Sequence, residues 1–308
     1  MLTQKQIDFF HGNGFLIMRG LYQGEELKLL QKAADAVQAK GEHNDGPMHL
    51  FHTMADGSKV YWRSEEIWKR GEIFRAVTVK PELLENIGQC VGQAFFPWND
   101  SLVVKLAKVG APVPWHQDPP YMGEKGSEET FGVPNFTTDI YLDHSGPDNG
   151  CVYAIDGHHL VGHVDLKSKT EEQLFTECGA KPLEMEAGDV LFHCLSTPHG
   201  SRPNRSGIQR RIFYIHYLAD EVYQHGYGRE SWAHAKPGWG AAKKSHIEEM
   251  IQARAGFGWE TPDKRATLRF GEGGFEFVGT PKTPVRYWNE LKAKMPDAER
   301  RGKKALRV

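Results

Sequence analysis

The sequence predicts a mainly β fold with flanking helices, and three observations predict it. Runs rich in β-branched and aromatic residues recur at 101–109, 136–143, 151–155, 190–195 and 209–217. Turn-forming clusters separate them, and 33 Gly and 17 Pro among 308 residues supply the turns such a core needs. Helical periodicity is confined to a few flanking segments.

In chain order, Thr3 suits the N-cap of an amphipathic helix reaching about His11, stopped by Gly12-Asn13-Gly14. Phe15-Leu16-Ile17-Met18 reads as a buried strand. Over 24–38, Leu27, Leu29, Leu30, Ala33, Ala34 and Val37 recur at helical spacing and predict a second helix packed on the core. Residues 41–73 are polar and irregular, with His49, His52, Tyr61 and Trp62 scattered through them, and read as a plain loop or as a lid. Residues 81–96 read as a helix with Leu83, Leu84, Ile87, Val91 and Phe95 on one side. The 101–109 strand and a Gly110-to-Pro114 connection follow, and 122–135 is a polar excursion expected near the mouth of a site. In the 136–143 strand, alternation sets Thr137, Asp139 and Tyr141 on one face and Phe136, Thr138, Ile140 and Leu142 on the other. A turn at 145–149, a strand at 151–155 and a helix-like segment at 170–178 come next.

The turn Ala187-Gly188-Asp189 feeds the apolar run 190–195, which ends at Pro198-His199-Gly200. A second turn, 202–207, returns the chain into the alternating strand 209–217, so the pair reads as a hairpin. Residues 219–308 lie outside this pattern and hold four of the eight Trp, a helix around 244–255 and a basic end at 300–307. Two regions are therefore expected: a core over 1–218 and an extension over 219–308 packed on it. The extension reads either as a wrap with a solvated tail or as a cap or homodimer contact that shapes the pocket. No internal repeat is present.

A net charge of −2 argues against nucleic acid or an anionic membrane as the main partner. The four cysteines, Cys90, Cys151, Cys178 and Cys194, have no C-x-x-C spacing and read as reduced thiols. The N-terminus has no apolar signal core, and no apolar run approaches the ~18 residues of a membrane span, so a cytoplasmic protein is expected.

Chemistry concentrates in Trp115-His116-Gln117-Asp118-Pro119-Pro120-Tyr121. On an extended strand, positions i and i+2 project to one face, so His116 and Asp118 offer a nitrogen and an oxygen to a shared point. These are two corners of a 2-His-1-carboxylate iron site. Two other His-x-Asp triplets occur, at His43 and His163, but only His116 follows a credible strand. The 187–217 segment supplies His199 and, eleven residues on, Arg210. A guanidinium fixed near a metal ligand suits a dicarboxylate that chelates the metal at one end and meets the arginine at the other.

Taken together, these pieces resemble the phytanoyl-CoA dioxygenase family of iron(II)/2-oxoglutarate oxygenases. The likeness rests on His116-Gln117-Asp118, Leu142-Asp143 with Asp148-Asn149-Gly150-Cys151, Gly157-His158-His159, Ala187-Gly188-Asp189, His199-Gly200-Ser201 with Arg210, and the opening helix and strand; it spans about 1–218. The resemblance implies a double-stranded β-helix, or jelly-roll, core. It implies iron(II) held by His116, Asp118 and His199. It also implies 2-oxoglutarate bound through Arg210 and Ser201, with Gln117 as a further polar contact, and O2 as co-reactant. Arg211 is the rival guanidinium, and the spacing from His199 selects Arg210. The implied reaction hydroxylates an unactivated C–H of a small metabolite or natural product, releasing succinate and CO2. Desaturation, ring formation and demethylation stay open.

Tyr121, Asp139 and Tyr141 are candidates for lining the substrate, each with a purely structural reading beside it. Asp139 reads as an anchor for a cationic or hydroxylated ligand or as a paired strand aspartate. Two other classes are weighed. A metal-dependent isomerase or hydrolase on the same barrel would not need Arg210, and a non-catalytic binding module would not need all three ligand types.

Overall fold

The computed structural model describes residues 1–44, 48–92, 94–118, 136–160, 165–219, 246–260, 268–271 and 274–277. The first helix, α1 (Gln4–Asn13), starts where Thr3 and Gln6 form a reciprocal capping box and stops at Gly14, whose φ of 82° few other residues tolerate. Such a cap stabilises the helix by about 1 kcal/mol. It leads into β1 (Phe15–Met18) and α2 (Gly24–Glu42), which buries Leu30, Ala34 and Val37.

Residues 41–73 correct the loop-or-lid expectation. They contain β2 (His49–Thr53), β3 (Lys59–Glu65) and a short 3-10 turn, and β3 pairs with the following long strand. Their strand character was hidden because their outer residues are polar: β2 is the edge strand and pairs only with β3, and β3 joins the sheet through β4 (Phe95–Lys105), about 40 residues downstream. The helices α3 (Glu72–Thr78) and α4 (Pro81–Val91) precede β4; the helix expected over 81–96 stops at Gly92, and the strand starts and ends earlier than 101–109.

Then come β5 (Val113–His116), β6 (Phe136–Tyr141), β7 (Val152–Ala154), α5 (Glu171–Thr176) and β8 (Lys181–Leu183). They are followed by β9 (Val190–Cys194), β10 (His199–Ser201) and β11 (Arg210–Ala219). Last are α6 (Ile247–Phe257) and the ribbon β12 (Leu268–Gly271) with β13 (Gly274–Phe277). Tyr121 and the 122–135 excursion lie outside the described residues.

Two antiparallel sheets make the core, ordered β1-β9-β6-β11-β4-β3-β2 and β5-β10-β7-β8. The supposed hairpin over 187–217 is corrected here. Its members β10 and β11 belong to different sheets, because the 202–207 turn crosses from one sheet to the other. The strand alternation of the seven-stranded sheet divides its side chains between two cores. Phe136, Ile140, Phe192, Phe213 and Ile215 pack with Leu30, Phe74, Leu83 and Leu84 from the helices. The opposite face lies between the sheets, where Tyr141, Leu191 and Ile212 meet Val152, Ala154 and Leu183. This is a jelly-roll architecture with helices on one face.

Candidate active site

Three side chains able to hold a metal ion, His116, Asp118 and His199, converge between the sheets. β5 and β10 run antiparallel with His116 directly opposite His199, and their ring centroids are 4.3 Å apart. Asp118 lies just beyond the end of β5, with Oδ1 3.4 Å from His116 Nε2 and Oδ2 3.8 Å from His199 Nε2. One ligand atom from each residue falls within 4.8 Å of the others. Both imidazoles are oriented by backbone: His116 Nδ1–H donates to Pro114 O at 2.8 Å, and His199 Nδ1–H donates to Thr197 O at 2.9 Å. Those bonds orient both rings with Nε2 turned toward Asp118, the edge a metal-ligating histidine would present.

The electrostatics are those of a cation site. Burial favours a neutral Asp118, but the His116 hydrogen bond and the neighbouring His199, His116 and His193 hold its carboxyl well below the usual range. Burial and the adjacent His116 push His199 down to about 3, so it stays neutral and able to ligate. Burial also works against a charged His116, but Asp118 raises it. Asp118 Oδ2 is buried with no hydrogen-bond partner. An unmet buried carboxylate oxygen costs about 1–3 kcal/mol or more, and a divalent cation at this point would compensate it.

Arg210 opens β11 directly opposite Lys105 of β4. Its side chain is buried, its Nε has no hydrogen-bond partner, and no described residue forms an ion pair with it. Burial works against its charge, while Tyr141, whose buried hydroxyl is likewise unpartnered, Cys151, Asp139 and Asp143 favour it. The rival Arg211 turns to the opposite side, where it grips Asp143 through Nε at 2.9 Å and Nη2 at 2.8 Å and also meets Asp35. The strand alternation thus separates the two arginines. Ser201, two residues beyond His199 on β10, shares the His199 face. Gln117 faces away from both ligands and donates Nε2–H to Ser196 O at 2.6 Å.

Asp139 and Tyr141 lie on the inner face, as their alternation predicted, and Asp139 Oδ2 is 3.5 Å from His193 Nε2. His193 was missed in the sequence. Its ring sits 4.9 Å from that of His199, and burial opposes its charge while Asp139 raises it. The available signal was one polar residue within the otherwise apolar Val190–Cys194 strand. Lys105 was missed for a similar reason. It is a lone buried cation whose Nζ donates to Arg202 O at 2.8 Å and also to Ala111 O, and burial beside Arg210 pushes it down to about 6.

Comparison with known proteins places this geometry in context. The family model "Phytanoyl-CoA dioxygenase (PhyH)" matches residues 10–212. A methylphosphonate hydroxylase of Gimesia maris is 24% identical over 220 residues, which cover 71% of this chain and 81% of the relative. A probable alpha-ketoglutarate-dependent hypophosphite dioxygenase of Stutzerimonas stutzeri is 30% identical over 239 residues, covering 72% of this chain and 80% of the relative. Among solved structures, EctD from S. alaskensis with 2-oxoglutarate and 5-hydroxyectoine superposes with a TM-score of 0.58 at 20% identity, covering 71% of this chain and 76% of that one.

Proposed function

The chain belongs to the phytanoyl-CoA dioxygenase family and is an iron(II)- and 2-oxoglutarate-dependent dioxygenase, and from that premise we propose that it hydroxylates an unactivated C–H bond of a small metabolite. In this reading His116, Asp118 and His199 hold the iron, Arg210 and Ser201 receive the far carboxylate of 2-oxoglutarate, and Tyr141 borders it. Iron held there would supply O2 activation, with one oxygen atom ending in the succinate formed from 2-oxoglutarate as CO2 leaves and the other in the substrate alcohol. The protein's residues position and exclude. The backbone carbonyls of Pro114 and Thr197 fix both imidazoles so that their Nε2 edges would meet the metal. The buried Arg210 draws one dicarboxylate end away from the metal and leaves the other to chelate. Apolar side chains from both sheets keep bulk water from the inner space.

The observation that carries the reading is Arg210: a buried guanidinium with no counter-ion among the described residues, on the same inner face as Tyr141 and Asp139. An isomerase or hydrolase site has no use for that cation. The relatives' names, methylphosphonate hydroxylase and hypophosphite dioxygenase, support a small substrate. The test is an anaerobic titration of metal-stripped protein with iron(II) and then 2-oxoglutarate. A weak visible charge-transfer band is expected in the parent protein, absent in His199→Ala, and requiring far more 2-oxoglutarate in Arg210→Ala. Iron binding without the band would overturn the cosubstrate assignment.

A further inference from the structure

The inner face of the seven-stranded sheet is unusually polar for a region between two packed sheets. Cross-strand pairing places His193, Thr137, His216 and Asn99 in one row over β9, β6, β11 and β4. The next row runs Leu191, Asp139, Tyr214, Ser101 and Glu65, ending on β3. The triad borders one end, since His193 touches the His199 ring and pairs with Asp139. Asp139 is satisfied there, because Thr137 Oγ1–H also donates to it at 3.0 Å.

At the other end the balance of donors and acceptors fails. Asn99 Oδ1, Ser101 Oγ and Glu65 Oε2 are buried without a hydrogen-bond partner, and these residues are 6%, 0% and 9% exposed. Ser101 and Glu65 are directly opposite each other, so their Cβ atoms lie ~5 Å apart, and Asn99 is two residues from Ser101 on the same face. Glu65 spends its other oxygen on Arg63 Nε at 2.7 Å. The cluster therefore presents three unpartnered oxygens able to accept, one of them a carboxylate oxygen and one a hydroxyl that can also donate, beside the Arg63 guanidinium. Each such group costs about 1–3 kcal/mol unless a ligand meets it.

We propose that this face is the substrate bed and that the substrate carries a protonated amine received by Asn99, Ser101 and Glu65. An ammonium has three N–H donors and one positive charge, which matches three acceptors and one carboxylate. Tyr214 lies between Asp139 and Ser101 in the same row, and the Arg63 guanidinium carbon sits 6.0 Å from its ring centroid. An anionic group at this place would face the Glu65 carboxylate, and Arg63, the cation beside it, already pairs with that carboxylate. β4 is two strand spacings, ~10 Å, from β6, so the reacting carbon is several bonds from the nitrogen. The inference rests on the dioxygenase reading and names the substrate class for the same site.

The test uses full-length protein loaded with manganese(II) and 2-oxoglutarate, in anaerobic calorimetry. The probes are aminoalkylphosphonates and aminoalkanoates of about three to six carbons, each set against its deaminated counterpart. At least one amine is expected to bind tenfold or more tighter than its counterpart, because a site built to hydrogen-bond a group rejects the analogue lacking it. Glu65→Gln and Ser101→Ala should each shrink that ratio to about twofold, with folding checked by circular dichroism. Two variants are used so that one misfolding does not decide the result. The proposal is overturned if no amine in the series binds, if the deaminated partners bind equally well, or if the preference survives both substitutions. The iron(II)/2-oxoglutarate band, recorded on the same protein, separates the two failures: no band sinks the dioxygenase reading, whereas a band without amine preference sinks only this inference.

Discussion

Arg210 and Lys105 are opposite members of one cross-strand pair, and both are buried basic side chains. Burial lowers the pKa of each. A guanidinium buried out of water without an anion destabilises the protein, and the same burial, with Arg210 beside it, leaves Lys105 largely unprotonated at neutral pH. Arg210→Met should therefore raise the stability of the cosubstrate-free protein by ~1–3 kcal/mol while weakening 2-oxoglutarate binding by about a hundredfold. Urea unfolding and the charge-transfer titration measure the two effects, and a variant that loses both stability and affinity would contradict this account. Lys105 adds a pH dependence. Its folded value of about 6 lies below its ordinary value, so between the two the unfolded chain binds the extra proton. Stability is then fully present above the ordinary lysine range and is lost as pH falls toward 6. Unfolding at pH 6.5 and pH 9 should show greater stability at the higher pH, and Lys105→Met should flatten that difference. At this scale the candidate ligands His116 and Asp118 were legible because His-x-Asp is a local pattern. Lys105, Asn99 and Glu65 were not, since a residue's counter-charge or missing donor is known only when strands far apart in sequence are placed side by side.

Elements whose determinants are local matched their sequence reading, and those defined by distant pairing did not. α1 carries its own cap and stop signals, and β1 its own apolar run, so both fell where expected. β3 owes its place in the sheet to β4, with β2 added at its outer edge, and β10 owes its sheet to β5 and β7. The turn before β9 shows how tightly such connections are built. Gly188 has φ 92°, and a Cβ there would lie 2.0 Å from Tyr22 O, while Asp189 accepts from Gly20 N at 2.7 Å and Glu186 N at 2.9 Å. Gly188→Ala meets both a left-handed backbone and a fixed carbonyl, and should cost ~2–4 kcal/mol with a matching fall in thermal midpoint. A loss under ~0.5 kcal/mol would show that the turn relaxes freely.

The whole molecule depends on its last described helix. Ile247 and Met250 of α6 are fully buried in the main core, so we propose that the region beyond 219 is an extension packed on the core and not a separate unit. Arg254 is buried between Glu26 of α2 and Glu260, and Lys80 Nζ meets the same Glu26 at 2.7 Å. Arg254→Ala strands these carboxylates without their central partner and should cost ~3–5 kcal/mol, whereas Arg254→Lys should recover only part of it, because lysine cannot fork between two acids. Equal stability of Arg254→Ala and the parent would mean that α6 contributes nothing to the core. Among the described residues, no helix is long and apolar enough to cross a membrane.

The sequence by itself determined the strand-rich class, the alternation that puts Asp139 and Tyr141 inward, the ligand types His116, Asp118 and His199, and the choice of Arg210 over Arg211. The alternation and the His116–Asp118 spacing are properties of the chain alone, whereas the choice of Arg210 rests on the family resemblance, whose spacing from His199 it matches. The tertiary structure alone decided that β10 and β11 lie in different sheets, that His193 abuts His199, and that Arg210 has no described counter-ion. It alone left Asn99, Ser101 and Glu65 without donors. Those are facts about what lies opposite a side chain, and opposition across a sheet is fixed by the closing of long loops and the burial of two cores, which no local pattern encodes.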